Sequence, residues 1–115
     1  MTIDFRALAA PLAQAMIASL KTDSARLKAL ALAEAEALAF AITRIAGLAA
    51  SGAVSGDEAK VLLSVQRNAS ETVLASLAEV SRVSAERAVG AALREALEQS
   101  LGKGALAPVL RAIAA

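Results

Sequence analysis

Glu34 is the residue whose placement comes nearest to acid–base chemistry. It falls on an apolar stripe between Leu30 and Leu38, and a carboxylate taken out of water there would hold its proton above the usual range. Glu34 is therefore a candidate buried acid, unless the alanine-lined seam is shallow enough for it to reach water. Glu36 cannot act with it, because residues two apart point to different sides of a helix.

Other residues with reactive side chains fall short of a mechanism. Serine recurs at 64, 70, 76, 81 and 84, yet the chain has no histidine, the usual base for activating a hydroxyl. Lys60 stands one turn from Ser64, a spacing better explained by two solvated neighbours on a polar face. Gly102-Lys103-Gly104 lacks the upstream glycine and the following Ser or Thr of a phosphate loop, and it follows a helical pattern rather than a strand. Asn68-Ala69-Ser70 matches a glycosylation acceptor but sits within a helical stretch. With no cysteine there are neither disulfides nor thiolate ligands, and no Glu-x-x-His motif marks a di-metal helical bundle. The expectation is a chain with no catalytic residues, no cofactor and no metal.

The elements that carry these residues are long helices. Of the 115 residues, 57% are hydrophobic and only 2% aromatic; the excess is alanine, which favours helix and lets axes approach closely while enclosing little bulk. The formal net charge is +1, twelve basic residues being scattered among eleven acidic ones, which gives no electrostatic footprint for nucleic acid. The apolar run from Ala7 to Leu20 is too short to span a bilayer, and no basic leader precedes it, so a cytoplasmic protein is the default.

Read in order, the pattern gives a single all-α domain over 1–115 with helices near 3–20, 24–50, 56–101 and 106–114. The first carries Phe5, Leu8, Leu12, Met16 and Leu20 and is expected to kink at Pro11 or to start just before it. The second, capped by Asp23 or Ser24, presents Leu27, Leu30, Leu38, Ile42, Ile45 and Leu48 and ends at Ser51-Gly52. The third opens on a Ser55/Glu58 capping box and is read as one straight helix of roughly 65 to 70 Å, in preference to one that bends or breaks between Ser84 and Gly90. Its first half presents Leu62, Val73, Leu74, Leu77 and Val80, with Lys60, Ser64, Arg67, Glu71 and Arg82 opposite. Its second half presents Ala85, Val89, Ala92, Leu93, Ala96 and Leu97, rotated by about half a turn. Arg67 with Glu71, Arg82 with Glu86 and Arg94 with Glu98 are spaced as surface ion pairs.

These elements predict a long antiparallel helical hairpin of the second and third helices, in which Glu34 lies opposite Val73. Shorter terminal helices flank it, and association with identical chains closes the bundle. Leu32 and Phe40, off the main stripe of the second helix, join Val89, Leu93, Leu97, Leu106 and Leu110 as the expected interface of a homo-oligomer, a dimer or tetramer. The function expected is non-enzymatic: self-association and binding of a further, unidentified protein partner. The alternative is an amphipathic protein of lipid or membrane interfaces, disfavoured by the missing tryptophan, few lysines and near-zero net charge.

Overall fold

Local signals fix the ends of most helices. The structure is a computed structural model describing residues 5–77 and 80–101, with side chains for 6–76 and 80–99. Helices α1 (Phe5–Leu20), α2 (Ala25–Ala50), α3 (Gly56–Leu77) and α4 (Arg82–Ala96) are followed by a π-helical turn, Leu97–Leu101. The described residues are 88% helix and include no strand. The expected terminal helix at 106–114, with Leu106 and Leu110, lies outside them.

Ser24 caps α2 by accepting the Leu27 amide at 3.3 Å. At the other end Gly52, with φ +78°, takes the left-handed position. The Gly52 and Ala53 amides there bond back to the Ala49 and Leu48 carbonyls, a Schellman closure in which glycine meets no Cβ penalty. The Ser55/Glu58 box forms in both directions, at 2.9 and 3.1 Å, and Asp57 and Glu58 occupy the electropositive first turn of α3. Helix α1 ends on Lys21, which is left-handed at φ 51° without being glycine.

Of the two expectations at Pro11, the start beside the proline does not hold: Pro11 lies inside α1, and the carbonyl deprived of its bond belongs to the exposed Ala7, where water can satisfy it. One expectation about helix continuity is corrected. The straight helix over 56–101 does not form. It ends at Leu77, and a new helix starts at Arg82 with Ser81, extended at ψ 156°, as its cap. Ser81 Oγ accepts the Ser84 amide at 3.1 Å and contacts the Ser84 hydroxyl at 3.0 Å.

The rotated second stripe accounts for that break. Burying a side chain the size of Val89 or Leu93 stabilises by about 1.5 to 3 kcal/mol, whereas an interrupted ladder forfeits a few bonds of about 1 kcal/mol each and recovers part through the cap. Turning α4 onto its own chain therefore wins. Helix α1 packs against both α2 and α4, and α3 packs against α2 and α4. The radius of gyration is 13.3 Å and the longest extent 41 Å, close to the ~39 Å length of α2 alone.

The core is half alanine. Its bulky members include Leu8, Leu12 and Met16 of α1, Leu38, Ile42 and Ile45 of α2, Leu63 and Leu74 of α3, and Val89 and Leu93 of α4. Between them sit buried rows such as Ala31-Ala35-Ala39 and Ala85-Ala88-Ala92-Ala96, whose short side chains allow helices to approach closely. The buried face of α2 thus centres on its alanines, while Leu27, Leu30 and Leu48 of the expected stripe are only half-buried.

Candidate functional site

The polar residues of α3 are not where the helical pattern put them. Arg67 and Glu71 were expected on the outer side, with Leu62 inward. Instead Ser70 and Glu71 are buried and Leu62 is 40% exposed. Rotating α3 this way seats Ala59, Leu63 and Leu74 in the core.

A polar seam results along α3, which packs against α2 on one side and α4 on the other. Arg67 Nε donates to Glu71 Oε1 at 3.0 Å, with the Glu71 side chain only 6% exposed. Ser70, fully buried, receives a hydrogen bond from Gln66 Nε2 at 3.3 Å and bonds the Glu34 side chain across to α2. Ser70 lies one turn from the expected neighbour Val73. Loss of water raises the Glu34 carboxyl above its ordinary 4.5, and the Ser70 hydrogen bond opposes that rise. Glu34 is half-buried, so the candidate buried acid is a partly dried one.

Gly90 makes room on the α4 side. A Cβ there would lie 3.4 Å from Arg94 Nη1 and 3.6 Å from Arg67 Nη2, so both guanidinium groups reach this helix position. The polar atoms of the seam are satisfied: among the described residues no buried side-chain nitrogen or oxygen lacks a hydrogen-bond partner. This arrangement sets how α2, α3 and α4 register on one another, and it assembles no nucleophile and base. Lys60 is exposed and Ser64 half-buried. No group of three or more His, Cys, Asp or Glu side chains able to hold a metal ion occurs among the described residues.

The expected interface divides in two. Val89 and Leu93 are fully buried, and Leu97 packs partly against the same core; they are covered within one chain, because the break before α4 lets that helix fold back. Leu32 at 44% and Phe40 at 50% remain exposed on α2. They have company that the sequence pattern missed, since Val61 and Val65 of α3 are 62% exposed and Val83 of α4 is 53% exposed. The Val61/Val65 spacing of one turn was the available signal; assigning the inward side to Leu62 obscured it.

Arg82 and Glu86 form the surface pair expected of them, at 3.6 Å with both side chains about half exposed. No described helix is long and apolar enough to cross a membrane. The described residues form an all-helical bundle that leaves a few valine, leucine and phenylalanine side chains exposed. No protein-family profile, curated protein or solved structure matches the chain.

Proposed function

We propose that this chain is a non-enzymatic helical assembly module, acting through reversible self-association and through binding of a further protein. In this reading α2 and α3 form an antiparallel hairpin, the four helices close a core within one copy, and contact between copies uses what stays outside. The observation that carries the proposal is the exposure of Leu32, Phe40, Val61, Leu62, Val65 and Val83, each at least 40% accessible, outside a core that holds Leu12, Met16, Leu38, Ile42, Leu63, Leu74, Val89 and Leu93. Such side chains gain about 25 cal/mol for each Å² of apolar surface removed from water. Self-association has moved from the α4 stripe, which its own chain covers, to the outer sides of α2 and α3.

Light scattering across a dilution series tests this proposal. The mean mass rises above the 11.6 kDa of one chain as concentration reaches the high micromolar range, and polar replacement of Phe40 with Val65 suppresses the rise. A mass that stays at 11.6 kDa throughout overturns it. Flotation with neutral and anionic vesicles separates it from the lipid-interface reading, in which the chain would rise with the vesicles.

A further inference from the structure

The outer face of α2 has a symmetry that surface exposure alone does not imply. At about 100° per residue, Phe40 marks the centre of this face, with Ala33 and Gly47 within about 20° of its direction and Glu36 and Arg44 about 40° to either side. All five are exposed. Glu36 and Arg44 stand at equal distances before and after Phe40, and neither has an ion-pair partner among the described residues. Nothing within 4 Å would meet a Cβ at Gly47.

We propose that α2 pairs with α2 of a second copy, antiparallel, about a two-fold axis passing beside Phe40. This rests on the self-association reading above and names the surface that performs it. A two-fold contact is isologous, each residue meeting its symmetry mate or a reciprocal partner. With Phe40 on the axis, the two phenyl rings face each other, and Glu36 of each copy lies against the partner's Arg44. Ala33 lies against the partner's Gly47. Opposite charges therefore meet twice, and the smallest side chains meet on both sides of the rings, where two helices need to come within 8–10 Å of each other. The parallel arrangement instead brings Glu36 against Glu36 and Arg44 against Arg44, which is repulsive at both ends. The charges select the antiparallel pairing.

The overlap runs for some 20 residues, or about 30 Å, along one helix from each copy. One helix face buries less than the ~800 Å² per partner of a standard interface, so the dimer is weak and reversible.

Charge reversal tests the register. Glu36→Arg and Arg44→Glu each place like charges together twice, and each should weaken dimerisation in sedimentation equilibrium by about tenfold or more. An equimolar mixture of the two variants restores pairing, because each then meets its opposite, and the double reversal restores it in a single chain. Since the sequence contains no cysteine, Phe40→Cys supplies a single thiol on the axis, and mild oxidation should yield a covalent dimer. Val65→Cys on α3 should not. Circular dichroism checks that every variant keeps its helix. If the natural chain self-associates while both reversals leave its affinity unchanged and Phe40→Cys fails to cross-link, the α2 pairing is wrong and the assembly reading survives. If the natural chain remains monomeric at high micromolar concentration, both fall together.

Discussion

Replacing Leu93 with alanine removes three heavy atoms from a site with no exposure to solvent. On α4, Val89, Ala92 and Ala96 around it are equally buried. Alanine neighbours have no side-chain length with which to fill the space, so the cavity stays close to its full size. Leu→Ala changes at buried sites cost from 2.7 to 5.0 kcal/mol according to how far the site collapses; a site that collapses little places Leu93→Ala toward the upper end, at about 4 to 5 kcal/mol. A domain this size has a total stability of roughly 5 to 15 kcal/mol, so the loss is a large share of it. Urea unfolding followed by far-UV circular dichroism, at two protein concentrations a hundredfold apart, measures this directly. The expected loss is the same at both, because Leu93 is covered by its own chain. A loss below about 1 kcal/mol, or one that shrinks on dilution as for a residue buried between subunits, would refute the reasoning. Lys60→Ala, at an exposed position outside the apolar surface, is the control and should lie within about 0.5 kcal/mol of the natural chain.

Four further outcomes follow from the polar seam and the helix ends. The folded chain holds the Glu34 proton to higher pH than the unfolded chain does, so this group's contribution to stability falls as pH rises from the ordinary carboxylate value through the raised one. Glu34→Gln should therefore gain on the natural chain between pH 4 and pH 7 in urea titrations, a gap independent of pH being the contrary result. Arg67→Ala leaves the buried Glu71 without the guanidinium 3.0 Å away and should cost about 3 kcal/mol by the same method; a change below about 0.5 kcal/mol would show Glu71 to be solvated. Lys21→Gly relieves a left-handed backbone at φ 51° and should raise stability by about 1 kcal/mol, and Gly90→Ala should gain a similar amount, since its Cβ would make only ordinary contacts. A lowered melting temperature in either variant would contradict the geometry assigned there.

Helix ends were the most legible part of the sequence. Ser24, Ser51-Gly52 and the Ser55/Glu58 box each act within one turn, so the chain carries the whole signal locally. Facing was less legible because alanine lies on every side of these helices and identifies none as inward. That is why Ala31, Ala35 and Ala39 took the buried centre of α2 and why Glu71 turned inward while Leu62 turned out. Ser81 was not read as a cap, because Ser81-x-x-Ser84 lacks the Glu or Gln that completes a capping box. The rotated stripe after it was then assigned to a second subunit, although a break at Ser81 lets a single copy cover Val89 and Leu93. Glu34 was read from the sequence as a possible buried acid and is half-buried; its neighbour Ser70 depended on how α3 is rotated. Leu32 and Phe40 were recognised because they fall away from the rest of their helix's apolar stripe.

Folding and association are proposed to be separable: one copy closes its own core, and the outer face of α2 then joins a second copy. Sedimentation equilibrium and far-UV circular dichroism on one dilution series test this together. The expected result is a dimer at high micromolar concentration that dissociates on dilution into monomers with undiminished helix content. Helix signal disappearing in step with dissociation would contradict it, as would a mass of 11.6 kDa at every concentration.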